Sequence, residues 1–201
     1  MASAVDICNL ALARLGDSAT IASINPPEGS AQAEHCARFY QIALNSMLEL
    51  HDWKFATRRT TLAQLDVESW NWAYAYAKPT GAIKLLAVLP ADASPEDKGV
   101  DFETENTSAG QELILTDLED ATLRYTALVT DTTKFPPLFV DALGWLLAAH
   151  LAGPVIKGDA GAAQAKACWQ MFSVLIAQAK VSDANQRKHR PEHKPAWIAG
   201  R

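Results

Sequence analysis

The sequence predicts an α+β fold: an antiparallel four-helix bundle, a small β-rich insertion between helices 2 and 3, and an extended C-terminal tail. Three observations lead there. Apolar residues recur at helical spacing near both ends of the chain. Alternation with a period of two is confined to the middle. The last stretch is charged and carries two prolines. Residues 1–56 and 133–185 would form the discontinuous bundle, 57–132 the insertion and 186–201 the tail.

Ser3 can cap a first helix, with Asp6 where a capping box usually holds Glu or Gln. Val5, Cys8, Leu12 and Leu15 keep a 3.6 period, and Gly16 supplies a left-handed stop. Residues 21–29 form a connector, because Pro26-Pro27 forbids helix across it. A second helix begins near Ser30 and ends near His51. Cys36, Tyr40, Ala43, Met47 and Leu50 mark its core face, with Phe39 beside it. Glu34, Arg38, Gln41, Asn45 and Glu49 fall mainly on the other. His51-Asp52-Trp53-Lys54-Phe55-Ala56 follows as an aromatic plug.

In the middle, Trp70, Trp72, Tyr74 and Tyr76 alternate with small or polar residues, a strand signal that Pro79 and Gly81 end. Residues 83–89 are a second β-prone run, and 92–99 a polar loop. Residues 102–105 and 112–116 read as two strands joined by a turn. Leu123, Tyr125, Ala127 and Val129 give one more.

Phe135-Pro136-Pro137 restarts helix, with proline favoured at the first position. Leu138, Ala142, Trp145, Leu146, Ala149 and Leu151 make this third helix apolar nearly all round, until Gly153-Pro154 interrupts it. Such a helix is buried on every side, either at the centre of the bundle or partly against another subunit. Asp159 caps a fourth helix over about 160–184, with Ala165, Cys168, Trp169, Phe172, Leu175, Ile176 and Ala179 on its core face.

Composition narrows the function classes. The chain has 201 residues, 49% hydrophobic and 20% charged, which suits an ordinary globular core rather than disorder. No apolar run approaches the ~20 residues that span a bilayer, and no basic stretch precedes an apolar one as in a secretory signal. Cys8, Cys36 and Cys168 are odd in number and widely spaced, so they read as buried free thiols. This fits synthesis in a reducing cytoplasm. The net charge is −5, divided as +4 on residues 187–201 and −9 on the rest. An acidic body does not grip duplex DNA.

Catalytic and metal motifs are missing from the sequence. It has no Cys-x-x-Cys, no His-Glu-x-x-His and no Gly-x-Ser-x-Gly, and the loop Gly158-Asp159-Ala160-Gly161 lacks the lysine of a phosphate loop. No cofactor, metal or catalytic residue is expected. One chemical alternative stays open. Exposed aromatics of the Trp70 strand could stack on sugars near Glu103, Glu105, Glu112 and Asp117, and paired carboxylates are what glycoside hydrolysis needs. In the tail, Arg187, Lys188, Arg190, Lys194, Trp197 and Arg201 either end the chain in solvent or order on a partner, with Trp197 as anchor.

The order of several weak motifs resembles the tail tubular protein A family, the head-to-tail adaptors of short-tailed bacteriophages. They are Ile7-Cys8-Asn9-Leu10-Ala11-Leu12 with Leu15-Gly16, the plug at 51–56, Trp72-Ala73-Tyr74-Ala75-Tyr76-Ala77-Lys78-Pro79, Phe135-Pro136-Pro137-Leu138-Phe139, Asp183-Ala184-Asn185, and the late Trp197. Asp52 departs from the family, where proline commonly precedes the tryptophan. The resemblance implies a virion protein of the tail neck and a dodecameric ring beneath the portal protein. A tail nozzle would lie below it and, in some phages, fibres at the periphery. The genome would pass through without sequence-specific binding, and no membrane would be involved. The basic tail would dock the portal. The alternative is a tail-associated glycan-binding or glycan-hydrolysing protein acting through the β insertion.

Overall fold

The computed structural model describes residues 2–67, 71–94 and 98–186. Four helices and two antiparallel sheets make up the fold. Helix α1 (Ala4–Arg14) opens with a complete capping box, Ser3 Oγ accepting from the Asp6 N–H and Asp6 accepting from the Ser3 N–H. It closes on Gly16 at φ +77°, where the Gly16 and Asp17 amides bond back to Ala13 and Leu12, a Schellman stop. Helix α2 (Ala31–Glu49) is capped by Ser30. Between them, Asn9 on α1 exchanges two hydrogen bonds with the backbone of Ile21, pinning the connector.

Seven strands follow. β1 (Thr57–Thr61), β7 (Thr122–Ala127) and β4 (Ala82–Leu89) form one sheet in the order β1-β7-β4. The other sheet, in the order β2-β3-β6-β5, contains β2 (Gln64–Leu65), β3 (Tyr74–Ala77), β6 (Glu112–Thr116) and β5 (Glu103–Asn106). Tyr76, Ile114, Val88, Leu123 and Tyr125 bury one core shared by both sheets. The β1-β7-β4 sheet also touches α2 through β4 and β7. Gly99 lets the chain cross β4 closely: a Cβ there would meet the Val88 carbonyl oxygen at 2.7 Å.

Helix α3 (Pro137–Ile156) and helix α4 (Gly158–Ala184) complete the chain. They form a hairpin whose backbones nearly touch, since a Cβ on Gly161 would lie 2.9 Å from the Ala152 carbonyl oxygen. The turn is only Lys157, at φ 64°.

The antiparallel four-helix bundle with a small insertion is not what forms. A bundle helix turns one side to water, and α3 has no polar side to turn. It takes the centre instead. Phe139, Ala142, Leu143, Leu146, Leu147 and Leu151 are buried round its circumference, and α1, α2 and α4 pack on it while α1 and α2 barely meet. The β part is two sheets rather than a small appendage. Its unforeseen strands, β1 and β2, are largely polar edges with no apolar alternation to betray them. Proline does not stop α3 at Gly153-Pro154. Pro154 lies in the last turn, so the one backbone bond it removes, to the His150 carbonyl, interrupts little of the ladder, and the helix reaches Ile156. That makes α3 long and apolar enough to cross a membrane by length and composition, yet half of that stretch is buried inside the protein.

The aromatic plug is the keystone of the helical core. Trp53 is 1% exposed, stands edge-on to Phe139 at 5.0 Å, and donates its indole N–H to the Met47 carbonyl at 2.6 Å. Phe55 and Phe135 complete the cluster around Phe139. At the other side of α3, Arg14 donates to the Asp141 carbonyl oxygen, pairs with its carboxylate, and lies over the Trp145 ring at 4.4 Å.

Candidate interaction surfaces

In the β region the aromatic run divides. Tyr74 and Tyr76 point into the core between the sheets, and the Tyr76 hydroxyl donates to the Leu118 carbonyl at 2.8 Å. Strand β3 begins only at Tyr74, so Trp72 escapes the alternation. It packs on the opposite face of its sheet with Ala75, Leu113 and Leu115, and its indole N–H donates to Glu103 at 3.2 Å. Trp70 lies outside the described residues.

The carboxylates do not converge. Glu103 and Glu105 stand opposite Leu115 and Leu113, on Trp72's face of the sheet. Glu112 stands opposite Asn106, on the other face, and pairs with Lys78 at 3.0 Å. Asp117 accepts the Ala73 N–H at 2.9 Å. A shallow cleft of about 370 Å³ lies between Trp72, Asp101, Thr116 and Asp117. Among the described residues, no cluster of three or more His, Cys, Asp or Glu is placed to hold a metal ion. Cys8, Cys36 and Cys168 are buried free thiols.

The helical region presents a different surface. The sequence puts Trp169 and Leu50 in the core, but Trp169 is 51% exposed and Leu50 is exposed too. Both flank a groove of about 460 Å³ between α2 and α4, floored by Leu146 and His150 of α3. Helical period identifies a stripe, not the partner that covers it. The side of α4 that meets α3 runs through Gly161, Cys168, Phe172, Ile176, Ala179 and Asp183, so Cys168, Phe172, Ile176 and Ala179 lie where the period puts them and Trp169 falls at the edge. The outward side keeps Met171, Val174 and Val181 exposed. Over residues 160–182 only Lys166 and Lys180 are charged.

His150 stacks on Phe39 in this groove, ring centroids 5.8 Å apart. Burial pushes its imidazole pKa down, because the charged form loses hydration. The unfolded chain therefore binds this proton more readily than the folded one. Its contribution is constant above the unfolded value of about 6.5 and turns against folding as pH falls through it, levelling off below the lowered folded value. Thermal melts from about pH 7.5 to 5 should show a falling midpoint, and His150→Gln should remove that component of the fall.

At the far end of α4, Asp183 is buried beneath the plug. Its two carboxylate oxygens accept the Lys54 N–H at 3.1 and 3.3 Å, and Oδ2 lies 3.2 Å from His51 Nε2. This clasp joins residues 129 and 132 positions apart, and the sequence gives no hint of it. Of the proposed docking tail, Arg187, Lys188, Arg190, Lys194, Trp197 and Arg201 all lie outside the described residues.

No family model matches the chain, and neither does any curated protein.

Proposed function

We propose that the chain is a structural subunit of a head-to-tail adaptor ring, joining a portal to a tail nozzle and lining part of the path of DNA ejection. One observation carries the reading: a long helix with few charges that keeps Met171, Val174 and Val181 exposed away from α3 and Trp169 exposed beside the groove with α2. An ordinary monomer scatters its exposed apolar residues singly, whereas side chains of this size gathered along one helix fit protein contact. The order of sequence motifs supports the same reading and supplies the partners: portal, nozzle and, in some phages, fibres. The acidic body is compatible with a channel that lets duplex slide, since each phosphate neutralised by a protein cation would add affinity through counterion release.

The test is to assemble particles without this polypeptide. They should lose the packaged genome and lack complete tails; particles that keep both would overturn the reading. Mass measurement with and without portal gives the stoichiometry, and a chain cut after residue 186 should bind portal more weakly if the tail docks there.

The glycan reading rests on the cleft beside Trp72, where an aromatic ring and the carboxylates of Asp101 and Asp117 lie together. Glycan turnover that falls on changing Asp101 or Asp117 singly to Asn would favour it over the adaptor.

A further inference from the structure

We infer that Cys8 and Cys36 form an intramolecular disulfide when the chain meets a peroxide, tying α1 to α2. Cys8 lies on the buried side of α1 with Ile7, Ala11 and Leu12. Cys36 lies on the buried side of α2 with Ala33, Tyr40 and Ala43. Neither cysteine has exposed surface, and both belong to one core cluster. Their thiols are in contact, Cys8 donating a hydrogen bond to the Cys36 sulfur. Tyr40 is one turn beyond Cys36 on the same side of α2 and stands close to Cys8. Its hydroxyl is buried and has no hydrogen-bond partner among the described residues. A buried donor without an acceptor is costly, and a redox role is one of the reasons for which a fold keeps such a group.

The hydrogen bond assigns the two sulfurs different parts. Accepting from Cys8 lowers the pKa of Cys36, while donating to Cys36, together with burial, raises that of Cys8. Cys36 is therefore the thiolate that attacks and Cys8 the thiol that resolves. The Cys36 sulfur attacks one peroxide oxygen. An S–O bond forms, the O–O bond breaks, and the departing hydroxide takes the proton that Cys36 released, giving water. The Cys36 thiolate, and then the sulfenic oxygen, supplies the acceptor that the Tyr40 hydroxyl lacks. The Cys8 sulfur next attacks the Cys36 sulfur. The S–S bond forms as the S–O bond breaks, and the oxygen leaves with the Cys8 proton as a second water. Two thiols lose two electrons in all, and the peroxide is reduced to two waters. Helix α1 packs on α3 and scarcely on α2, so local opening of this first helix admits a molecule as small as a peroxide. Cys168 has other neighbours, Gln164 at 3.8 Å and Arg14. The dithiol is the form that a reducing cytoplasm maintains, and the disulfide the form that persists outside one.

The test treats the folded, full-length chain with hydrogen peroxide, then unfolds it, alkylates it and maps its peptides by mass. Cys8 and Cys36 should appear in one linked peptide pair, two hydrogens lighter, with Cys168 alkylated. Dithiothreitol should reverse the change. The oxidised chain should melt several degrees above the reduced one, because the bond closes residues 9–35 into a loop in the unfolded state. Cys36→Ala should abolish the link and leave Cys8 alkylated. Tyr40→Phe keeps the ring and removes a hydroxyl that the reduced fold does not bond. It should slow linkage about tenfold, the worth of a hydrogen bond to a charged acceptor, without lowering the reduced midpoint. Three alkylated thiols after peroxide, a link through Cys168 or between chains, or a Cys36 oxidised but unlinked would each overturn the inference. Linkage as fast in Tyr40→Phe as in the parent would overturn the part given to the hydroxyl. The bond lies within one chain, so none of these outcomes bears on the adaptor reading.

Discussion

Trp53→Ala is expected to lower the free energy of unfolding by about 4 kcal/mol, as truncations of buried aromatic residues do. Three losses add. The indole is almost fully buried against Phe139, Phe55 and His51, so its removal opens a cavity lined by aromatic rings that cannot collapse without moving α3. The edge-on contacts vanish with it. Met47 is also in the last turn of α2, among the carbonyls that a helix leaves without an internal partner, and the indole N–H serves as its cap. Against a total stability of about 5–15 kcal/mol for a domain, that loss is a large share. Urea titration should show a lower midpoint with an unchanged slope. Trp53→Phe separates the terms: it keeps a ring in the cavity and orphans the Met47 carbonyl, so it should cost about 1–2 kcal/mol. If the alanine variant lost under 1 kcal/mol, the plug would not be organising the helical core.

Much of the fold's local detail was legible because local chemistry decides it. The start and stop of α1 follow from Ser3, Asp6 and Gly16 through bonds that span only a few residues. The start of α2 follows from Ser30, and the strands with apolar alternation fall close to where the pattern puts them. What failed depends on long-range competition. Period puts Cys168, Phe172, Ile176 and Ala179 on the side of α4 that does meet α3, but it cannot show that Trp169, one step round the helix, stays exposed beside the groove with α2. Leu50 was misplaced for the same reason. The sequence shows α3 to be apolar all round, yet only the assembled fold shows the other three helices gathered on it, with α1 and α2 barely meeting each other. Trp72 continues an alternation on paper, whereas in space the strand starts two residues later and the indole turns to Glu103.

The clasp at Asp183 is the second place where a single change should have a large effect. Asp183→Ala should cost about 2–3 kcal/mol, the range for losing a charged hydrogen-bond acceptor from a buried site. Asp183 is 2% exposed, and its carboxylate would be expensive to bury alone. It is tolerated because the Lys54 N–H and the His51 ring converge on it. Alanine removes the acceptor and leaves the Lys54 amide without it, in a turn that also holds Trp53 in place. Asp183→Asn keeps one acceptor oxygen and should cost about half as much. Hydrogen exchange gives the direct reading. The Lys54 amide should lose protection in the alanine variant and retain part of it in the asparagine one; equal protection in both would mean that the carboxylate does not hold the turn. The consequence reaches the surface. Lys180 and Val181 are in the turn before Asp183, so releasing the clasp should loosen the end of α4 that offers them.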